Sequence, residues 1–439
     1  MITDLSNLIS DVRATLREMY FGDARPWVVA FSGGKDSTTV LQLVYDMILE
    51  LGPRATKPVH IVASDTRVEA PNVEEFLDKV LAAIRKHSLA HDLPIHVHHV
   101  RPAPDQTFWV NLIGRGYPSP TRTFRWCTTK MKIRPARKVI ESVISAAGAA
   151  ILLLGTRSAE SSGRAQRMEA RQQNERGLNP HHEIPNALVM SPIAHWSNDE
   201  VWDYLFQNNP PPWGMRHDFM LDLYRQANGG ECPVVLDLNT PSCGGSRFGC
   251  WTCTVVKQDR SMQGFLDSGE LWMKPLAEFR DNLKVWRERE DLRERLRRNG
   301  EPGLGPFNLA ARQMILGELL ATERRVEREL IADEEIQLIQ HHWRRDGDAA
   351  DSAIRLAERY GRRPAPIEEG AAITDTEREL MLELVQEYEI SEQWIEDLLF
   401  LVDKKYPFMD QIDHASLLKD VKRIIENAAR QQEGELAAP

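Results

Sequence analysis

Apolar and polar positions follow two rhythms in the first half of the chain. A short apolar run at 27–31 leads into Gly33 and Gly34, and apolar positions then recur at helical spacing over 38–51. The same alternation continues with a run at 59–63, a helical stretch at 72–87, a run at 95–100, a helical stretch at 132–147 and a wholly apolar run at 149–154. Short apolar runs bounded by turn residues read as strands, and the longer periodic stretches as amphipathic helices. Strands that alternate with helices predict an α/β fold, a doubly wound parallel sheet. Residues 1–20 read as a further amphipathic helix, and Ser197 with Glu200 forms a capping box that opens a helix over 199–208.

Beyond Cys253 the strand rhythm stops. Residues 271–298 are charged and helical, 299–306 break the pattern, and helical spacing resumes at 309–346 and 351–360. After a second breaker, "GRRPAPIEEG", Thr374 and Glu377 cap another helix, with further helices at 391–402 and 414–429. The expected organisation is an α/β unit over 1–270, an all-α C-terminal region over 271–430 and a flexible tail at 431–439.

Composition adds bounds. The 439 residues are 42% hydrophobic and 27% charged, enough for two or three domains and a real core. A net charge of −10 argues against a general basic coat but leaves room for a local basic groove. Residues 106–140 contain no acid, and there Arg125, Lys132, Arg134, Arg137 and Lys138 mix with Phe108, Trp109, Tyr117, Phe124 and Trp126. Such a stretch is either a surface for a nucleic-acid backbone or a solvated helix face with its aromatics in the core. The longest apolar run, 149–154, is far short of the ~20 residues that cross a bilayer, and no secretory signal opens the sequence, so a cytoplasmic location is expected. Thiols there stay reduced. Four of the five cysteines fall between 232 and 253, which points to metal binding or thiol chemistry.

The loop at 32–37 carries the clearest chemistry. A strand, a Gly-Gly turn and a helix start follow one another there. Gly33 and Gly34 let backbone approach an anion, the helix N-terminus favours negative charge, Ser32 and Ser37 supply hydroxyls, and Lys35 supplies a cation. The spacing is not that of a Walker A loop. The bland alternative is an ordinary glycine turn.

Ser32-Gly-Gly-Lys-Asp-Ser37 resembles the PP-loop of the ATP pyrophosphatases and the PAPS reductases, and "SDTRVEAP" (64–71) and "GTRSAESSGRA" (155–165) resemble two further segments of that family. The resemblance implies a sheet of adenine nucleotide α-hydrolase (PP-loop) type that cuts ATP between its α and β phosphates. It implies an ATP site of Ser32, Gly33, Gly34, Lys35, Asp36, Ser37, Asp65, Thr66, Gly155, Arg157 and Arg164. Arg157 and Arg164 would clamp phosphates, and Asp36 and Asp65 would position Mg²⁺ or ribose.

"RWCTTKMKIRP" (125–135) resembles the cluster-binding segment of the assimilatory sulfonucleotide reductases, although Thr128 stands where that family has a second cysteine. The resemblance implies a [4Fe–4S] cluster on Cys127, Cys243, Cys250 and Cys253, with Cys232 as the alternative fourth ligand. Zinc on four thiolates is the rival. A spare Cys232 is either a persulfide carrier or a buried thiol.

Taken together, with 231–262 included, the pattern is similar to the DndC-type DNA phosphorothioation sulfurtransferases and their SspD-type relatives. That family implies ATP-dependent replacement of a non-bridging DNA phosphate oxygen by sulfur, with Lys35, Asp36 and Cys232 catalytic. It also implies DNA, a cysteine desulfurase as sulfur donor and an ATPase-type protein as partners. Three other readings stay open: a sulfonucleotide reductase, a tRNA thiolation enzyme, and a non-catalytic Fe–S scaffold in a DNA-modification complex. The reductases carry a catalytic cysteine in a C-terminal tail, whereas this sequence has no cysteine after Cys253.

Overall fold

The computed structural model describes residues 5–158, 177–227, 249–297 and 301–365. Its sheet is built from β1 (Trp27–Ala30), β2 (Val59–Ser64), β3 (Ile95–Val100), β4 (Ala150–Leu153), β5 (Asn179–Pro180) and β6 (Ala187–Met190). The strand order is β3-β2-β1-β4-β6-β5. Neighbours are parallel, except that β5 runs antiparallel to β6. The four strands expected from the apolar runs are present. The two short strands β5 and β6 lay below the reach of periodicity.

Every residue of β1 and β4 is buried, as expected for central strands covered on both faces. Strand alternation sends Trp27, Val29, Ile151 and Leu153 into one core and Val28, Ala30, Ala150 and Leu152 into the other. The first core is packed with α1 (Leu5–Gly22), α2 (Lys35–Leu51) and α3 (Pro71–Ala90). The second is covered by α4 (Arg134–Ala147) through Ala136, Ile140 and Val143. Helical structure already starts at Trp126 and passes through a π-helical turn, Thr129–Ile133, before α4. α5 (Asn198–Gln207) carries the expected capping box: the Glu200 N–H donates to Ser197 Oγ over 3.2 Å and the Ser197 N–H donates to the Glu200 carboxylate over 2.6 Å.

The helical stretches differ from expectation at their ends. α6 is Asp218–Ala227 and α7 is Arg260–Asp267; α8 (Lys274–Glu288) stops ten residues before the expected end, where Arg289 turns extended (ψ 121°). The stretch expected over 309–346 is two helices, α9 (Leu309–Val326) and α10 (Asp333–Arg345). Glu327 ends the first in the left-handed region (φ 52°), and Glu323 takes the Leu330 and Ile331 N–H groups at 2.8 and 3.3 Å. Neither break has a glycine or proline to mark it. α11 is Ser352–Arg359.

One compact unit takes residues 1–293 and 306–362, and a second takes 294–305 and the residues after 362. Within the first, α9 and α10 are tied to the segment between β3 and α4. Trp343 Nε1 donates to the Ile113 carbonyl (2.9 Å), Trp109 Nε1 to Leu330 (2.6 Å), and Arg312 Nη1 to Gly114 (2.6 Å). The cap at Thr374, the helices expected at 391–402 and 414–429, and the tail at 431–439 lie outside the described residues. Among the described residues, no helix is long and apolar enough to cross a membrane.

Candidate functional site

The strand order reverses between β1 and β4, and ligands in open α/β sheets bind at the carboxyl ends of strands at such a point. The 32–37 loop leaves β1 there, and Gly155 and Arg157 leave β4 beside it. Gly33 adopts φ 76°, and Gly34 is the extended N-cap of α2. The Ser32 N–H donates to Ser37 Oγ (3.2 Å), the two hydroxyl oxygens lie 3.0 Å apart, and Ser37 Oγ–H donates to the Gly34 carbonyl (3.0 Å). The expected phosphate donors thus also brace the loop internally.

Lys35, Asp36 and Arg157 form a buried charge triad, with 6%, 1% and 3% exposure. Lys35 Nζ donates to Asp36 Oδ2 over 2.9 Å, Arg157 Nε donates to Asp36 Oδ1, and Arg157 Nη1 donates to the Trp196 carbonyl over 3.2 Å. Two cations against one carboxylate leave a net positive charge under the loop, which suits polyphosphate. Arg157 thereby ties the end of β4 to the loop through Asp36. Tyr224 of α6 accepts the Lys35 N–H (3.3 Å), and its ring faces Lys35 Nζ at 5.4 Å. No local sequence signal pointed to Tyr224. Arg164 lies outside the described residues.

Asp65 and Thr66 follow β2, both almost fully buried. Asp65 Oδ1 accepts the Arg67 N–H (2.7 Å), and Oδ2 accepts Arg101 Nε (2.7 Å). Asp36 and Asp65 are therefore already held by cations and backbone, and among the described residues no group of three His, Cys, Asp or Glu side chains is placed to hold a metal ion.

Thr66 points to neighbours of its own. Its N–H and hydroxyl both donate to Glu69, at 3.0 and 2.6 Å, and its Oγ1 lies 3.4 Å from Cys250 Sγ. Glu69 pairs with Cys250 as an antiparallel bridge, and the Trp251 N–H donates to the Val68 carbonyl (2.9 Å). Burial pushes the Glu69 carboxyl above its usual range, and the Lys132 ammonium opposes that shift. Glu69 sits inside the quoted "SDTRVEAP" segment, but its role depends on a residue far away in sequence.

The Cys250–Cys253 turn is closed by the Cys253 N–H on the Cys250 carbonyl (3.0 Å). Arg280 of α8 caps its outer side, donating to the carbonyls of Cys253 (2.8 Å), Val256 (2.5 Å) and Lys257 (3.3 Å). Arg280 is 3% exposed and carried no motif of its own. Cys127, Cys250 and Cys253 are half-buried, reduced thiols. Three soft thiolates suit iron or zinc chemically, but the described cysteines do not form a three-donor group. Cys232 and Cys243 lie outside the described residues.

The basic stretch divides. Phe108, Trp109, Tyr117 and Trp126 are buried with at most 2% exposure, so they are core and not a stacking platform. Arg137 donates to Glu141 (2.7 Å) and to the Glu183 carbonyl (3.4 Å). Lys138 is exposed and lines a cavity of about 520 Å³ with Pro26, Pro58, His60 and His98, at the strand ends opposite the 32–37 loop. Arg125, Lys132 and Arg134 lie in and around the helical turns that lead into α4.

A family model, "Phosphoadenosine phosphosulfate reductase domain", matches residues 26–256. An uncharacterised protein of Methanocaldococcus jannaschii is 29% identical over 196 residues, which is 45% of this chain and 34% of that protein. The chain thus spans about a third of that relative's length. Three solved structures are similar at low scores. A PAPS reductase of Candida auris in a phosphate complex shares 16% identity, covering 47% of this chain and 88% of that one, with a TM-score of 0.28. An FMN adenylyltransferase of Candida glabrata shares 15%, covering 51% and 61%, with a TM-score of 0.31. A U34-tRNA thiolase of Methanococcus maripaludis with its [4Fe–4S] cluster shares 12%, covering 64% and 79%, with a TM-score of 0.29.

Proposed function

We propose, from the premise that the chain belongs to the phosphoadenosine phosphosulfate reductase domain family, that it is an ATP-dependent sulfurtransferase acting on the DNA backbone. The observation that carries this reading is the contact of Thr66 with Cys250, which joins a segment proposed to meet the nucleotide to a cysteine turn in one half-buried network.

A phosphate oxygen is a poor leaving group. Attack by that oxygen on the α phosphorus of ATP releases pyrophosphate and leaves the DNA phosphate adenylated. A persulfide sulfur then attacks the DNA phosphorus, and AMP departs with the oxygen. A second thiol attacks the remaining S–S bond, which frees the phosphorothioate and leaves a disulfide for reduction. The glycine turn and the α2 N-terminus receive the phosphates, and the positive charge shared by Lys35 and Arg157 offsets the growing negative charge. Mg²⁺ would arrive with the nucleotide. Cys232 is the proposed persulfide carrier, and a cysteine desulfurase its proposed source of sulfur. A [4Fe–4S] cluster has no step in this reaction. Iron and labile sulfide in an anaerobic preparation, lost together in Cys250→Ser, would establish that Cys250 holds one.

The deciding experiment is mass spectrometry of host DNA for phosphorothioate dinucleotides, with and without this chain. Phosphorothioate that depends on the chain and is lost in Lys35→Ala supports the proposal. Sulfur found in a tRNA base, or DNA modification unaffected by Lys35→Ala, overturns it.

A further inference from the structure

We infer that Thr66, held by Glu69, is a positioning residue for the Cys250 thiol and couples that thiol to the nucleotide loop. The coupling rests on the nucleotide reading above; the positioning of the thiol does not.

The argument starts from hydrogen-bond capacity. A threonine hydroxyl has one proton and two lone pairs. The Thr66 proton goes to Glu69 Oε1 at 2.6 Å, so a lone pair of Thr66 is what faces Cys250 Sγ at 3.4 Å. The carboxylate also takes the Thr66 N–H, so both donors of this residue are fixed by one group. Main-chain pairing of 68–69 with 250–251 fixes the spacing between the two segments. Cys253 is held differently: its N–H turns back to Cys250, and its carbonyl goes to Arg280. The neighbour of Thr66, Asp65, is locked by Arg67 and Arg101 at the carboxyl end of β2, beside the strand that carries the phosphate loop. A ligand that shifts this strand end therefore shifts the Thr66 hydroxyl, and with it the partner of one cysteine but not of the other. Coupling of this kind is reciprocal.

The test compares alkylation of Cys250 and Cys253 by iodoacetamide at one fixed pH in the full chain, quantified by peptide mass spectrometry. Cys253 serves as an internal reference, because a general loosening of the turn moves both rates together. Thr66→Val, which removes the hydroxyl, is expected to change the Cys250-to-Cys253 rate ratio by about threefold or more, the scale of one net hydrogen bond. Thr66→Ser, which keeps the hydroxyl, restores the ratio. An unchanged ratio in a folded Thr66→Val protein overturns the positioning role. ATP with Mg²⁺ is expected to shift the ratio in the parent and in Thr66→Ser, and not in Thr66→Val. ATP that binds by equilibrium dialysis without shifting the parent's ratio overturns the coupling. ATP that does not bind at all overturns both the nucleotide reading and the coupling, while the ligand-free ratio still decides the positioning role.

Discussion

A Cβ atom on Gly155 would lie 2.7 Å from the carbonyl carbon of Asp36 and 2.8 Å from the Ser37 nitrogen. The end of β4 and the start of α2 are thus packed backbone to backbone, with no space for a methyl group. Gly155→Ala must push the 32–37 loop away from its position. Overpacking of this kind typically costs about 1–3 kcal/mol. The expected result is a lower melting temperature together with weaker ATP binding, and ATP at high concentration should recover part of the lost stability. Unchanged melting and binding would mean that the two backbones separate without consequence.

Asp36 lies between two cations with 1% of its surface exposed. Asp36→Asn leaves Lys35 and Arg157 buried without their anion, and removing one partner from a buried pair costs about 3–5 kcal/mol. Arg157→Met leaves Asp36 still paired with Lys35, so the smaller loss is expected there. Denaturant unfolding of the two variants checks the order. A greater loss in Arg157→Met would show that the Trp196 carbonyl, and not Asp36, is the main partner of Arg157.

On the proposed reading, a DNA backbone meets α4 at Arg134, Arg137 and Lys138, in competition with the Glu141 carboxylate that Arg137 already holds. Replacing all three with glutamine should reduce DNA affinity and flatten its dependence on salt, since each phosphate contact contributes close to one unit of that slope. The readout is a binding titration over a series of salt concentrations. An unchanged slope would assign DNA contact to another surface.

His217 is buried against Gln42, donating from Nε2 to Gln42 Oε1 over 3.0 Å, and burial lowers its pKa from 6.5 to about 4. In the folded state it stays neutral where an unfolded imidazole takes a proton. The unfolded chain therefore binds more protons between pH 6.5 and 4, and acidification through that window favours unfolding. His60, lowered to about 4 by burial and by the neighbouring His96 and His98, acts in the same direction. His217→Gln should flatten the fall in stability across this range, read as the urea midpoint at successive pH values. A profile as steep as the parent's would remove His217 from the acid response.

Part of the site was legible in the chain. Ser32–Ser37 reads as a phosphate loop because strand, glycine turn and helix start are consecutive, and the fold places them as written. The pairing of Arg157 with Asp36 was not legible, since nothing local says that its guanidinium is taken by a carboxylate 121 residues away. Glu69, Tyr224 and Arg280 act through partners distant in sequence, and each is an ordinary residue in its own segment. The aromatics of 108–126 were ambiguous because composition cannot distinguish a stacking face from a core.

The sequence by itself determined the alternation of strands and helices, the glycine turn after β1 and the grouping of cysteines, because these depend on period, local backbone freedom and spacing. The tertiary structure decided the meeting of β4 with α2, the triad of Lys35, Asp36 and Arg157, and the contact of Thr66 with Cys250. Those depend on which buried groups find partners once the sheet closes. A buried charge or hydroxyl must be satisfied by whatever the fold brings to it, and that partner is set by three-dimensional proximity, which local pattern does not encode.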